Sequence, residues 1–226
     1  MAAGEFSKIS ATVEEQGYAL VRSHRPEASS FDAISDFGNM ETVEGLGSLQ
    51  FLTPKKQLEA LPNTYSGIFG VKEFPLHTDL AHWALPPRFL VLRCIHGAEH
   101  VTTRIFDGHE LVERFRPETL RMTLTQPRRP MRNGKQLLQV YQRVEGIDRY
   151  LLRWDSVYLR PATRLSDERF SDIKQFIACV RPVEIKLLER GDTLILDNWR
   201  CLHGRADVPE AARHRKIERA YLRTII

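Results

Sequence analysis

The N-terminal part of the chain opens with a helical pattern of apolar and polar residues. Apolar Phe6, Ile9 and Val13 recur at the spacing of one helix face, which predicts a helix over residues 6–17. Gly17 is a typical residue just after a helix end, so we expect the helix to stop there.

Three weaker patterns follow before the first long apolar run. Residues 18–21 are apolar and predict a strand. Residues 23–50 mix serine, glycine and acidic residues, which predicts a short helix and loops. Residues 64–70 predict a weak strand interrupted by glycines.

The remainder of the chain is rich in short apolar runs. Two amphipathic helices are predicted, one opened by Asp107 and one over residues 165–180. Segments 137–144 and 150–154 flank Gly146, which predicts a hairpin. Further strands are predicted at residues 89–94, 101–106, 183–188, 193–196 and 220–225.

Many short strands with few helices predict a mainly β protein with a closed or sandwiched architecture. No internal repeat or low-complexity linker interrupts the pattern. We therefore expect residues 1–226 to form a single domain.

The net charge, the apolar content and the cysteines limit which partners and which cellular location the sequence favours. The net charge is +4, from 33 Lys and Arg against 29 Asp and Glu, an excess too small to indicate nucleic-acid binding. No window is apolar enough to span a membrane, and we see no secretory signal pattern. The three cysteines lack metal-ligand spacing, and we expect reduced thiols in a cytoplasmic protein. An oligomer is possible.

The candidate chemistry lies in two histidines and one carboxylate. His77 and Asp79 are two residues apart, so on a strand both side chains point to one face. His203 lies far along the chain, and each motif sits beside an apolar run that predicts a buried strand. Two histidines and one carboxylate are the facial ligand set of non-haem Fe(II) oxygenases. Alone, a His-x-Asp pair more often orients the imidazole or caps a turn, and a His-Gly pair is usually a turn.

Two longer stretches give these residues a family context. Residues 76–80, 85–87 and 89–94 resemble the iron-binding segment of the taurine dioxygenase and gamma-butyrobetaine hydroxylase family. Residues 191–205 and 215–222 resemble its second motif, and the similarity covers roughly residues 60–226. The resemblance implies a double-stranded β-helix (jelly-roll) core with flanking α-helices.

The same resemblance implies an activity and its cofactors. His77, Asp79 and His203 would be the catalytic iron ligands, with Fe(II), 2-oxoglutarate and O2 as the reacting partners. The expected reaction couples decarboxylation of 2-oxoglutarate, giving succinate and CO2, to hydroxylation of a C–H bond in a small metabolite. Related halogenases lack the carboxylate, so the presence of Asp79 argues against halogenation.

The cosubstrate needs a cation for its distal carboxylate, and the fork of an arginine suits that group. The resemblance places Arg215 there, twelve residues after His203; Arg213 is its rival. Arg219 lies on the same side of a regular strand and would face the substrate or the other end of the cosubstrate. Thr103, or its neighbour Thr102, would bond the same carboxylate.

Substrate identity is open at this stage. Charges of both signs among the candidates suggest an amino-acid-like zwitterion, although any of them could be a surface ion pair. His82 could line the mouth or be an ordinary loop residue. The candidate substrate contacts are Tyr65, Ser66, Glu73, Arg153 and Asp155.

Two alternative functions also fit the motifs. The same scaffold could carry a desaturase, epoxidase or cyclase of a biosynthetic pathway, because these reactions diverge only after hydrogen abstraction. A β-sandwich that binds metal or ligand without turnover belongs to a different class. Conversion of 2-oxoglutarate to succinate in the presence of Fe(II) would separate catalysis from mere binding.

Overall fold

The computed structural model describes residues 3–129 and 136–226, and all statements on structure refer to these residues. The chain is mostly antiparallel β-structure with a few helices, as the pattern predicts. Helices are α1 Ala3–Gln16, α2 Ser30–Ser35, α3 Tyr65–Phe69, α4 Gly108–Phe115, α5 Pro117–Met122 and α6 Arg164–Cys179, with 3-10 turns at Gln57–Glu59 and Glu210–Ala212. None of these helices has the length and apolar content required to cross a bilayer.

The strands are numbered in chain order. They are β1 Tyr18–Val21, β2 Gly38–Glu41, β3 Gln50–Leu52, β4 Phe74–His77, β5 Phe89–His96, β6 Thr102–Asp107, β7 Leu124–Pro127, β8 Leu138–Gln139, β9 Tyr141–Val144, β10 Arg149–Leu152, β11 Leu159–Pro161, β12 Val183–Lys186, β13 Thr193–Asp197, β14 Cys201–Arg205 and β15 Lys216–Ile225.

Two sheets carry the fold. The larger has the order β1-β13-β5-β15-β2, with β3 also paired to β15, and the smaller has the order β12-β6-β14-β4. Apolar side chains from both sheets, such as Leu90, Ile105, Leu196 and Tyr221, meet in one buried cluster. The core thus lies between the sheets, where inward-facing residues of alternating strands meet.

Helices cover the outer faces of both sheets. Val13 of α1 and Ile34 of α2 pack on the outer face of the larger sheet. Leu111, Phe170 and Ile173, from α4 and α6, pack against the outer face of the smaller sheet. Burial of these apolar stripes is what holds short helices in place, since they would be marginal alone.

Most sequence predictions of elements are confirmed. The first helix ends as expected, with Gly17 at φ +82°, a conformation that favours glycine. Asp107 caps α4 through a bond from the backbone N–H of His109. The hairpin around Gly146 is formed by β9 and β10.

Two predictions for the N-terminal third need correction. The segment 64–70, expected as a weak strand, is the helix α3, because the Thr64 side chain accepts a bond from the Gly67 N–H and starts a helical turn. Residues 23–50 contain the expected short helix, but also β2 and the start of β3, which complete the larger sheet beside β15.

Candidate metal centre and cosubstrate pocket

The pairing of β4 with β14 brings the two distant histidines together. His77 ends β4, and its partner across the antiparallel ladder is His203 in β14. Directly opposed side chains share a face, and the two imidazole centroids lie 4.5 Å apart. Gly204 permits the close approach, because a Cβ there would lie 2.6 Å from the Phe74 carbonyl oxygen. Strand pairing therefore sets the distance between the rings.

Asp79 completes the cluster from the turn after β4. Its Oδ1 lies 3.5 Å from Nε2 of His77 and 3.7 Å from Nε2 of His203. One ligand atom from each of the three residues lies within 4.8 Å of the others, and all three side chains are buried. The structure thus brings together the three residues that the sequence analysis selected, with donor types that suit Fe(II).

Hydrogen bonding orients one imidazole for metal binding. Nδ1 of His77 lies 2.8 Å from the carbonyl oxygen of Pro75, and a carbonyl can only accept, so Nδ1 carries the proton. The lone pair of His77 therefore sits on Nε2, which faces Asp79. Such a bond from the second ring nitrogen is typical of metal-bound histidines. Nδ1 of His203 is buried without a partner in the described part of the chain.

Burial shifts the pKa of each ionisable group in the cluster, and neighbouring charges decide whether the final pKa lies above or below its usual value. Burial would raise the pKa of Asp79, but the Arg219 guanidinium and the two imidazoles hold it well below its usual range. Burial and the nearby His77 lower the pKa of His203 to about 3. Burial also acts to lower the pKa of His77, but the Asp79 carboxylate outweighs it and raises that pKa. The cluster therefore offers an ionised carboxylate and a neutral His203 at neutral pH.

The carboxylate and backbone of Asp79 are held by neighbours on β15 and the β13–β14 turn. Oδ2 accepts hydrogen bonds from Nη1 of Arg219, at 3.0 Å, and from the hydroxyl of Tyr221, at 2.8 Å. The Asn198 side chain accepts from the Asp79 N–H at 2.7 Å and donates to its carbonyl at 3.1 Å. Sequence reasoning missed Tyr221, although its position two residues after Arg219 puts both on one face.

Arg215 is a buried cation without a carboxylate partner among residues 3–129 and 136–226. Its side chain is 6% exposed overall, and its Nε has no hydrogen-bond partner there. Burial lowers its pKa to about 10, so it remains charged at neutral pH. The rival Arg213 is paired with Glu59 and Glu210 at the surface. An unpaired buried cation is costly, and these contacts favour Arg215 for the cosubstrate.

Strand register distinguishes the two threonine candidates. On β6, Ile105 lies opposite His203 and Thr103 lies opposite Arg205. Thr103 therefore shares the inner face with His203, whereas Thr102 points to the other face. The register supports Thr103 for the cosubstrate pocket, one ladder step away from the histidines.

Two of the substrate candidates lie at the metal cluster. The Tyr65 ring stacks on the His77 ring with centroids 4.3 Å apart, and burial and the Asp155 carboxylate raise the pKa of its hydroxyl. Asp155 is 2% exposed; burial raises its pKa, while the nearby His77 opposes the rise. A buried carboxylate and a phenol therefore face the same region beside His77.

The other substrate candidates make contacts with other parts of the chain or lie within a helix. Arg153 is buried and donates to the carbonyl oxygens of Gln139, Ala81 and Ala84, which holds the loop after Asp79. Glu73 is half exposed and pairs with Arg104 at 2.7 Å. Ser66 is half-buried within α3. Their contacts give no support for the predicted substrate role, and His82 lies beside Tyr158 with its Nδ1 unpartnered in the described chain.

The sequence matches no family model and no curated protein, but solved structures share its fold. Asparagine oxygenase in complex with Fe(II), hydroxyasparagine and succinate aligns with a TM-score of 0.72 at 15% identity, covering 98% of this chain and 79% of that chain. The non-heme iron oxygenase OrfP in complex with Fe and α-ketoglutaric acid aligns with a TM-score of 0.69 at 14% identity, over 98% and 80% of the two chains.

A third similar structure is PvcB of Pseudomonas aeruginosa, described as an Fe, α-ketoglutarate-dependent oxygenase from an isonitrile synthetic pathway. It aligns with a TM-score of 0.64 at 17% identity, covering 98% of this chain and 82% of that chain. The chain therefore has the fold of iron- and α-ketoglutarate-dependent oxygenases.

Proposed function

We propose that the protein is an Fe(II)/2-oxoglutarate-dependent dioxygenase that hydroxylates a C–H bond of a small, amino-acid-like metabolite. The observation that carries this proposal is the buried cluster of His77, Asp79 and His203 on the fold of iron oxygenases. The buried Arg215, whose Nε has no hydrogen-bond partner in the described part of the chain, adds a cation for a dicarboxylic acid. Overall, substrate, 2-oxoglutarate and O2 would give hydroxylated substrate, succinate and CO2.

Each residue of the proposed site has a role that suits its chemistry. Fe(II) bound at the cluster would supply the activation of dioxygen, with the electrons coming from oxidative decarboxylation of the cosubstrate. His77 and His203 would bind it through neutral nitrogen and Asp79 through oxygen. Arg215 and Thr103 would bond the distal carboxylate of 2-oxoglutarate. Arg219 donates to Asp79, so its guanidinium lies beside the metal cluster, where it could face the substrate or the near end of the cosubstrate.

Asp155 and Tyr65 are the best-placed substrate contacts. A buried carboxylate suits a cationic group such as an ammonium or guanidinium, because it gains a charge-assisted hydrogen bond away from water. The Tyr65 ring adds an apolar wall over His77. Asparagine oxygenase and OrfP have been solved with hydroxyasparagine and hydroxyarginine, which agrees with an amino-acid-like substrate.

We further infer the finer assignments from the sequence motifs. The two facing sheets correspond to the double-stranded β-helix core of the taurine dioxygenase and gamma-butyrobetaine hydroxylase family. The three cysteines are free in the structure, which supports a reducing cytoplasmic location. A single domain over residues 1–226 remains our expectation.

The test is a screen of amino acids and related zwitterions with Fe(II), scored by succinate formation and product mass. We expect one class of substrate to stimulate succinate release, and His77→Ala or Asp79→Ala to abolish it. His109→Ala is the matched control, because this histidine lies on the exposed surface of α4. Full activity in either ligand variant, or no succinate under any condition, would refute the proposal.

A further inference from the structure

The two oxygens of the Asp79 carboxylate have different surroundings. Oδ1 faces Nε2 of both histidines, at 3.5 and 3.7 Å. Oδ2 accepts two hydrogen bonds, one from Arg219 and one from Tyr221. The carboxylate is thus presented to the metal position through one oxygen.

The two donors to Oδ2 are themselves fixed. Tyr221 is fully buried in the core between the sheets. Arg219 is held from its other side by Gln50, whose Oε1 accepts from Nε at 2.9 Å. Both donors project from β15, a central strand paired on both edges. A rigid strand holds a hydrogen-bond donor more accurately than a loop can.

The backbone of Asp79 is fixed independently of its side chain. Asn198 bonds the N–H and the carbonyl of Asp79 and also donates to the Pro87 carbonyl at 2.9 Å. Leu80, which follows, has φ +55°, a backbone conformation that costs energy outside glycine. The Asn198 amide therefore holds a turn that would otherwise relax, and with it the carboxylate.

This arrangement matters because a carboxylate can bind a cation through one oxygen or through both. Two imidazoles and one oxygen occupy three positions of an octahedral ion and leave three. A second Asp79 oxygen would take one of these, and a cosubstrate that binds through two atoms would then leave no position for O2.

We propose that Tyr221 is a positioning residue that, together with Arg219 and Asn198, restricts Asp79 to a single bond with the metal and so keeps three positions for cosubstrate and O2. The inference rests on the proposed iron site and adds to it a role for Tyr221. Tyr221 acts through Asp79 and does not itself touch the cosubstrate.

The test uses Tyr221→Phe in the 226-residue chain, with Co(II) as a spectroscopic probe and Tyr141→Phe, on the β9–β10 hairpin, as the control. Co(II) absorption reports coordination number, and titration gives the affinity for Co(II). In Tyr221→Phe we expect a changed Co(II) spectrum and about tenfold or more weaker Co(II) binding, within the usual range for partners of metal ligands. Thermal unfolding measures any loss of folding.

The outcomes separate a positioning role from a merely structural one. A lower melting temperature with an unchanged spectrum and unchanged Co(II) affinity would overturn the inference. If Tyr221→Phe does not fold, Arg219→Lys removes the guanidinium geometry but keeps the charge, and the same spectral change is expected. If the wild-type protein bound no Co(II), the proposed metal site itself would fail. If the wild type bound Co(II) and Tyr221→Phe gave the same spectrum and the same affinity, only the role of Tyr221 would be refuted.

Discussion

The metal side and the substrate side of the site are built in different ways. His77, His203 and the donors to Asp79 come from paired strands or are bonded to them, and both the Asp79 carboxylate and its backbone have hydrogen-bond partners. On the substrate side, the segment that precedes Tyr65, residues 53–64, has no buried residue, and Leu58 is fully exposed. The metal ligands are thus held by the sheet, whereas the segment before Tyr65 is an exposed loop with one 3-10 turn.

The loop is attached through a few polar contacts. Glu59 pairs with Arg213 at 3.0 Å, and the Tyr158 hydroxyl donates to the Asn63 carbonyl at 2.9 Å. Exposed polar contacts of this kind contribute little each, whereas the buried ligands depend on one another. The difference implies that substitutions at the metal cluster should reduce activity or stability strongly, whereas substitutions in segment 53–64 should have mild effects.

The largest effect in the cosubstrate pocket is expected for Arg215→Ala. Removing one partner of a buried ion pair costs about 3–5 kcal/mol, which corresponds to a loss of about a hundredfold or more in 2-oxoglutarate affinity. The measurement is the KM for 2-oxoglutarate or its Kd in the Co(II) protein. Arg213→Ala, which disrupts surface pairs, is the control and should leave both values near wild type. The reverse result would move the carboxylate site to Arg213.

A smaller and more selective effect is expected for Asp155→Asn. The change keeps the shape but removes the charge, so a cationic substrate group should lose about 2 kcal/mol of binding, or about thirtyfold in kcat/KM. The KM for 2-oxoglutarate should not change, because Arg215 and Thr103 are untouched. Equal loss for cationic and uncharged substrates would assign Asp155 a structural role through its bonds to the N–H groups of Val157 and Tyr158.

The contrast between the metal cluster and its surroundings also explains which residues could be predicted from sequence. The metal cluster could be predicted because His77 and Asp79 are close in sequence and His203 follows an apolar strand. Sequence could not choose between Arg213 and Arg215, since both precede β15, which begins at Lys216, and strand alternation does not apply to them. The two histidines lie in the paired strands β4 and β14, which is why the sequence pattern could predict them.

Residues held by distant contacts are the hardest to place from sequence. Arg153 is predicted as a substrate contact, and this stays a prediction, although its donors go to carbonyls of the loop after Asp79, about seventy residues earlier. The sequence predicts Tyr65 on a strand, whereas the Thr64 cap makes it helical, with its ring stacked on His77. Tyr221 was overlooked because an apolar strand pattern explains a buried tyrosine equally well. Long-range contacts of this kind leave no local signature.

The pH dependence of Co(II) affinity tests which of the two histidines is protonated in the metal-free protein. His77 has a pKa raised above 6.5, whereas that of His203 is lowered to about 3 and Asp79 stays ionised. Between about pH 6.5 and 5, Co(II) must therefore displace one proton, from His77, and its affinity should fall about tenfold per unit of falling pH. Two histidines with ordinary pKa values would give a slope approaching a hundredfold per unit. A flat profile would contradict the proton on His77.

The smallest effect is expected in segment 53–64. Leu58 is fully exposed and Leu61 is 70% exposed, so Leu58→Ser should change the free energy of unfolding by no more than about 0.5 kcal/mol. Leu76→Ser, inside the buried cluster behind β4, is the contrasting variant and should lose several kcal/mol, because it creates a cavity and buries a hydroxyl. Both values follow from urea unfolding of the metal-free protein. A large loss from Leu58→Ser would show that segment 53–64 packs against another surface, and the contrast between a metal cluster held by the sheet and an exposed loop would no longer hold.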